Sequence, residues 1–161
     1  ALCPAQPTYS PNEYRWGDHR AVIFDYQLTN SAGQKRAVFD RQEKVRLCVH
    51  MFFAEALTDI IYGCTLKTVD GQTVFGANTR ERGIGAQDRV AGEATTVTFE
   101  FACAILPGQY FISLGIALDD NSRDNVAVDR RYDLIHFPVV GEVGDFGVAD
   151  LSLTIAEGSC D

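Results

Sequence analysis

Apolar and polar residues alternate along most of the chain with a repeat of two residues. In residues 20–28 the repeat places Val22, Phe24, Tyr26 and Leu28 on one side. Such a repeat directs alternate side chains to opposite faces of a β-strand. The same pattern continues at residues 44–52, 59–69, 72–76, 95–103, 109–119, 127–139 and 151–155. It predicts an all-β protein of seven or eight short strands, with at most one helical turn, at residues 53–57.

Turn-forming residues separate these segments about every ten residues. Asp70-Gly71 predicts a hairpin turn, Pro107-Gly108 a second turn, and residues 120–124 a polar connection. Short strands joined in this way are typical of an antiparallel β-sandwich. The fold class predicted is therefore an immunoglobulin-like, jelly-roll-like sandwich.

Tyr110 follows the Pro107-Gly108 turn at the start of a predicted strand. In immunoglobulin-like sandwiches a tyrosine at this place bonds back to the backbone and anchors the corner. An ordinary core tyrosine fits the sequence equally well. Both interpretations are structural.

The first 13 residues contain Pro4, Pro7 and Pro11 and have no repeat. We therefore expect residues 1–13 to form a linker or arm. Residues 14–161 are expected to form the sandwich domain.

Composition narrows the possible partners. The chain has 161 residues, a hydrophobic content of 46% and a net charge of −8. Such acidity disfavours binding to nucleic acid or to an anionic membrane, because both require clustered Lys and Arg. Five cysteines, widely spaced and without a Cys-x-x-Cys pair, indicate free thiols in a reducing compartment. We therefore expect a cytoplasmic domain.

The sequence contains little that indicates catalysis. Its histidines, His19, His50 and His136, are isolated, and no phosphate-binding or nucleophile motif is present. The acidic residues 119–124 include Arg123 and lack the spacing of a calcium loop. We expect no enzyme activity, no metal and no cofactor.

The outward side of residues 109–119 is unusual because its side chains are small. Ser113, Gly115 and Ala117 replace the Lys and Glu common on a solvated face. If residues 44–52 and 127–139 are its neighbours, aromatic and imidazole side chains border it. An apolar sugar face stacks on such rings while polar groups bond its hydroxyls. A partner protein covering the face is the alternative interpretation.

One long segment carries a family resemblance. Tyr62 to Thr79 runs YGCTLKTVDGQTVFGANT, and LPGQY at residues 106–110, Tyr132-Asp133 and Phe137-Pro138-Val139 follow in order. With Trp16-Gly17-Asp18 upstream, these motifs resemble the C-terminal domain of the ATP-binding subunit (Wzt type) of O-antigen polysaccharide ABC exporters. The resemblance covers most of the chain from about residue 14 onward.

That resemblance implies a function. Such domains are cytoplasmic at the inner membrane and recognise the undecaprenyl-linked O-polysaccharide, often at its non-reducing end, before export. The resemblance also implies nucleotide-binding and transmembrane exporter subunits as partners, and an ATPase located in a separate N-terminal domain. It further implies a homodimer that exchanges a terminal strand, for which residues 151–155 are the candidate.

The resemblance does not identify the residues that contact the sugar, so the candidate site comes from strand parity. The predicted carbohydrate-binding residues are His50, Phe52, Ser113, Ala117, Tyr132 and His136. Phe52 and Tyr132 would stack, while His50, Ser113 and His136 would bond hydroxyls or an acidic end group. Arg80 and Arg82 are a second candidate for an anionic group, although a solvated loop also explains them. The alternative function is a dimerisation or protein-interaction module with no sugar affinity.

Overall fold

The computed structural model describes residues 2–160, which form ten β-strands and a short 3-10 helix, Cys3–Ala5. The strands are β1 (Tyr14–Trp16), β2 (Ala21–Thr29), β3 (Phe39–Asp40), β4 (Lys44–Phe53), β5 (Leu57–Thr68), β6 (Thr73–Asn78), β7 (Gln87–Arg89), β8 (Ala94–Ala102), β9 (Gly108–Leu118) and β10 (Val126–Val140). The two-residue repeat located the seven longer strands. It missed β1, β3 and β7, which have two or three residues each and are too short to display a repeat.

The strands form two sheets, and nearly all pairs are antiparallel. The larger sheet has seven strands in the order β1-β10-β9-β5-β6, with β3 added in parallel to β10 and β7 added to β5. The smaller sheet has three strands in the order β2-β4-β8. The all-β antiparallel sandwich predicted from the sequence is confirmed.

Apolar side chains from the two sheets meet in one core. Along β4 and β9 the buried positions follow the predicted parity. β2 differs, because its pairing with β4 shifts between Ile23 and Asp25. This bulge buries Ile23 and leaves Phe24 36% exposed, so the predicted side is wrong for Val22 and Phe24, whereas Tyr26 and Leu28 are buried as predicted. The largest fully buried side chains are Ile23, Tyr26, Phe39, Leu47, Met51, Phe53, Ile60, Ile112, Ile116, Leu134, Ile135 and Phe137.

Two predicted turns occur as expected. At the β5–β6 hairpin Gly71 has a φ of +91°, and the Thr68 N–H donates to the Gln72 carbonyl. The Tyr110 hydroxyl donates to the Leu106 carbonyl at 2.6 Å, which confirms the tyrosine corner.

The amino-terminal segment differs from the predicted linker, because residues 2–13 pack against the sandwich. Cys3 is 1% exposed, and Arg131 donates to both carboxylate oxygens of Glu13 and to the Ile23 carbonyl. Tyr9 forms a β-bridge with Ile135. Proline richness indicated an unstructured arm, whereas contacts with β10 hold the segment in place. Ala1 and Asp161, at the ends of the two predicted ranges, lie outside the described residues.

The carboxy-terminal segment also differs from its prediction. Residues 148–150 are fixed by backbone bonds to residues 104–106 and by the ion pair between Arg41 and Asp150. Residues 151–155 then form no strand, and Leu151, Leu153 and Ile155 are 82%, 77% and 91% exposed. The apolar residues of this segment alternate as predicted, but among residues 2–160 no strand pairs with it.

Candidate functional site

The outer face of the larger sheet carries a floor of small residues at its centre. The cross-strand register places Trp16 beside Arg130, Arg130 beside Gly115, Gly115 beside Gly63, and Gly63 beside Asn78. This row crosses β1, β10, β9, β5 and β6 in turn. A second row pairs Ser113 with Thr65 and Thr65 with Gly76. We call Gly63, Gly76, Ser113, Gly115 and Ala117 the small-residue floor.

Aromatic side chains stand along one edge of this floor. The rings of Tyr14 and Tyr132 are parallel, with an interplanar angle of 2° and centroids 6.2 Å apart. The Arg130 guanidinium lies 5.0 Å from the Trp16 ring centre and donates to the Asp124 carbonyl at 2.7 Å. Tyr14 and Trp16 are 65% and 39% exposed, so part of each ring is in contact with solvent. We call Tyr14, Trp16 and Tyr132 the aromatic wall.

Polar side chains form the opposite rim. The Arg80 Nη1 atom donates to Asn125 Oδ1 at 2.9 Å and lies 3.4 Å from Asp119 Oδ1. The Asn78 Oδ1 atom accepts the Glu81 backbone N–H at 2.9 Å. These bonds hold Asn78, Glu81 and Asn125 around the end of the floor.

The floor, the rim and Tyr132 of the wall line an open cavity of about 320 Å³, which we call the floor cavity; Tyr14 and Trp16 stand beside it on the neighbouring strand. Its lining includes Thr65, Asn78, Ser113, Asn125, Arg130 and Tyr132. Ser113 Oγ accepts the Asp133 N–H at 2.9 Å, so its own hydroxyl hydrogen remains able to donate. The arrangement offers ring faces for apolar C–H groups and hydroxyl and amide groups for polar ones.

The structure brings together three of the six predicted site residues. Ser113, Ala117 and Tyr132 all line the floor cavity. His136 is on the same strand as Tyr132, but it pairs with Phe111 farther along the sheet, with ring centres 4.9 Å apart. It is not among the residues that line the cavity.

His50 and Phe52 lie on the other sheet, so the expected neighbourhood of residues 44–52 and 109–119 is wrong. β4 is the central strand of the smaller sheet, where His50 stacks on Phe24 at 6.2 Å and its Nδ1 lies 2.9 Å from Thr96 Oγ1. The parity of both side chains is outward as predicted. Parity alone does not identify the sheet, which explains the error.

The sequence prediction missed Arg130, which lines the floor cavity, and the adjacent Tyr14 and Trp16 of the three-residue strand β1. The alternation Tyr14-Arg15-Trp16 was the available signal, since it directs both rings to one face. Asn78 also lines the floor cavity without having been predicted as a site residue, and its bond to Glu81 gives it a structural role as well. Arg80 also acts structurally, through Asn125.

A second cavity opens between the sheets along the edges of β6 and β8. It has a volume of about 690 Å³, and we call it the groove. Its apolar lining includes Leu66, Val74, Phe75, Val97, Phe99 and Phe101. Among the described strands β6 pairs only with β5, and β8 only with β4, so one edge of each strand faces the groove opening.

Burial affects the thiols in this region. It raises the pKa of the Cys64 thiol, which lines the groove, to about 12. The described residues contain no group of three or more His, Cys, Asp or Glu side chains that could hold a metal ion. Across residues 2–160 no helix has the length and apolarity needed to span a membrane.

Comparison with known proteins adds one decisive result. The family model of the Wzt C-terminal domain matches residues 12–151, which is most of the chain. The chain belongs to the Wzt C-terminal domain family. A crystal structure of the C-terminal domain of Wzt superposes with a TM-score of 0.86 at 26% identity, covering 94% of this chain and 92% of that one.

Other structural matches to this Wzt-type domain carry no functional argument. A β-glucosidase from Listeria innocua in complex with glucose has a TM-score of 0.43 at 19% identity, and one from Erythrobacter marinus has 0.43 at 14%. Those matches include 74% and 80% of this chain, but only 16% and 15% of the respective enzyme chains. No protein of curated function matches significantly.

Proposed function

We propose that this domain binds O-antigen polysaccharide and selects it as cargo for an ABC exporter in lipopolysaccharide biosynthesis. The family membership supplies the exporter context. The domain itself would be non-catalytic and would act at the cytoplasmic face of the inner membrane. Its partners would be the undecaprenyl-linked glycan and the nucleotide-binding and transmembrane subunits.

The observation that carries the proposal is the floor cavity bordered by the aromatic wall. Side chains on the floor are absent or short, so a flat ligand can approach the backbone of β5 and β9 closely. A sugar ring is such a ligand. Its C–H face is apolar and its edge carries hydroxyls. Tyr132 and Trp16 would stack on the ring face, and Ser113, Thr65 and Asn78 would bond the hydroxyls.

Arg130 gives the site a fixed positive charge close to the aromatic wall. Its guanidinium lies over Trp16 and donates to a neutral carbonyl, so donors remain for a ligand oxygen. An acidic or phosphate substituent at the end of the glycan would bond there. This role fits recognition of the non-reducing terminal feature.

Calorimetric titration with lipid-free O-polysaccharide from the source bacterium tests the proposal. We expect Tyr132→Ala to weaken binding at least tenfold, which equals about 1.4 kcal/mol, because it removes one stacking face. Phe52→Ala is the matched control: Phe52 is also an exposed aromatic residue, but it lies on the other sheet. The affinity of the Phe52→Ala domain for O-polysaccharide should stay within twofold of the wild-type value.

Three results would contradict glycan recognition at this site. They are equal affinity for O-polysaccharides of unrelated structure, an unchanged affinity in Tyr132→Ala, and no binding to the wild-type domain. The last result would favour the alternative function, an interaction module without sugar affinity.

The same domain would form a homodimer by exchange of its last segment. Leu151, Leu153 and Ile155 alternate and are exposed, while the groove offers apolar walls and two free strand edges. Added strands pair with such edges and bury alternate side chains. Residues 148–150 are anchored to their own domain, so residues 151–155 are free to reach the groove of a second copy.

A further inference from the structure

One segment of the chain borders both the floor cavity and the groove. It comprises residues 75–84, the end of β6 and the turn that follows, and we call it the shared segment. Gly76 and Glu81 line the floor cavity, Phe75, Thr79, Arg82 and Ile84 line the groove, and Asn78 lines both. The backbone that shapes one rim of the proposed glycan site is therefore also a wall of the groove.

Hydrogen bonds join the two sides of the shared segment. The Arg82 N–H donates to the Asn78 carbonyl at 3.2 Å, and the Ile84 N–H donates to the Thr79 carbonyl at 3.0 Å. On the other side the Glu81 N–H donates to the Asn78 side chain. Movement of Arg82 in the groove would therefore act on Asn78 at the floor cavity and, through the Asn78 side chain, on Glu81.

Arg80 extends this connection across the floor cavity. Its bond to Asn125 Oδ1, at 2.9 Å, joins the shared segment to the connection between β9 and β10. Asn125 itself lines the floor cavity. The Arg80 bond thus connects the shared segment to Asn125 on the other side of the floor cavity.

The groove side of this segment is poorly covered in the single chain. Phe75 and Ile84 are 59% and 54% exposed, although both border an apolar cavity. Few buried contacts imply low local stability. An apolar strand in the groove would bury these side chains and order the shared segment, because the hydrophobic effect favours their removal from water.

We propose that occupation of the groove by residues 151–155 of a second copy increases the affinity of the floor cavity for glycan. The inference rests on the proposed function and adds a coupling between dimer formation and cargo recognition. When the groove is occupied, the shared segment is already ordered. Glycan binding then loses less conformational entropy, so its binding free energy is more favourable. By linkage, the glycan strengthens the dimer by the same factor.

The test uses the full chain carrying Leu153→Asp and Ile155→Asp, whose own tail no longer fits an apolar groove. A synthetic peptide of residues 151–160 is added, and the matched control peptide carries both substitutions. Affinity is measured with a short oligosaccharide fraction of the O-polysaccharide, which occupies one site and avoids gains from bivalent binding. Hydrogen exchange of the Glu81, Arg82 and Ile84 amides is followed in parallel.

We expect the wild-type peptide to raise glycan affinity about tenfold, within the usual range of coupling between sites. It should also slow exchange at the three amides, and the control peptide should change neither quantity. Failure of the wild-type peptide to bind overturns the coupling. The coupling is also overturned if the peptide binds, as shown by slower hydrogen exchange of the Val97 amide in β8, but changes neither the exchange of the Glu81 amide nor the glycan affinity. Absence of glycan binding to the wild-type dimer instead overturns the proposed function, and the coupling with it.

Discussion

Gly63 and Gly115 face each other across the two central strands of the larger sheet, yet their backbone does not require glycine. Neither has a positive φ. An added Cβ would meet Asn78 Cβ at 3.7 Å or Arg130 Cγ at 3.8 Å, which are ordinary contacts. Glycine within a strand costs about 0.5–1 kcal/mol relative to alanine. Fold stability therefore does not explain these residues, whereas space above the floor does.

Gly115→Ala should separate stability from binding. The methyl group reduces backbone entropy in the unfolded chain but projects into the floor cavity. We expect the melting temperature to stay equal or rise, and glycan affinity to fall about tenfold. Gly85→Ala is the control, since its Cβ would contact nothing within 4 Å and it lies outside the floor cavity. A Gly115→Ala domain with unchanged affinity would exclude close approach of the ligand at this residue.

Burial determines which cysteines react. It raises the pKa of the Cys64 and Cys103 thiols to about 12, and Cys160 is exposed. The thiolate is the reactive form, so the Cys64 and Cys103 thiols stay protonated at pH 8. We expect iodoacetamide to modify Cys160 rapidly in the folded chain and Cys103 only in urea. Mass spectrometry of tryptic peptides measures both, and fast labelling of folded Cys103 would contradict the packing.

At the scale of elements, the amino-terminal segment is part of the sandwich. Removal of residues 1–13 would leave Arg131, which is 4% exposed, without its carboxylate partner Glu13. Loss of one member of a buried ion pair costs about 3–5 kcal/mol. We expect a decrease of this size in the free energy of unfolding by urea. Removal of residues 1–2 alone should change it by less than about 0.5 kcal/mol, and equal stability of both truncated chains would restore the linker interpretation.

The Asp150 carboxylate helps to hold the segment before the exposed tail, together with the backbone bonds to residues 104–106. The bond from Arg41 lowers the pKa of Asp150 well below its usual range. A lowered pKa contributes stability at pH values above the unfolded pKa of about 3.9, and this stability is lost as pH falls through the folded pKa. Asp150→Asn should therefore lower the melting temperature at pH 7, and the difference from wild type should decrease below about pH 4.

Asp145→Asn is the control for that measurement. Asp145 contacts the same guanidinium but is 71% exposed, so its loss should have little effect. Two variants with the same melting temperature at pH 7 would show that Asp150 does not anchor the segment.

At the scale of the whole molecule, the exposed tail should control the oligomeric state. Leu153→Asp places a charge where the proposed strand exchange buries an apolar side chain, so we expect a monomer. Light scattering over a dilution series measures the mass. Val143→Asp is the control, because Val143 is 86% exposed but lies outside residues 151–155. A Leu153→Asp dimer as stable as wild type would exclude exchange of this segment.

Prediction from sequence was most complete where the information is local. Strand parity along β4, β5 and β9, the turn at Gly71 and the Tyr110 corner all depend on residues close in sequence. These features could therefore be predicted from the sequence. Ser113, Ala117 and Tyr132 were placed on one face because β9 and β10 are consecutive and pair antiparallel.

Tertiary structure decided which strands are neighbours, and there the sequence was insufficient. The two-residue repeat predicts on which face of a strand a side chain lies. The hydrogen bonds between strands join residues that are distant in sequence, so no repeat in the sequence shows which strands are paired. His50 and Phe52 were thus assigned to the wrong sheet, and Trp16 entered the site through the pairing of β1 with β10. The packed amino-terminal segment has the same explanation, since the Arg131 guanidinium that donates to Cys3 Sγ lies 128 residues away in the sequence.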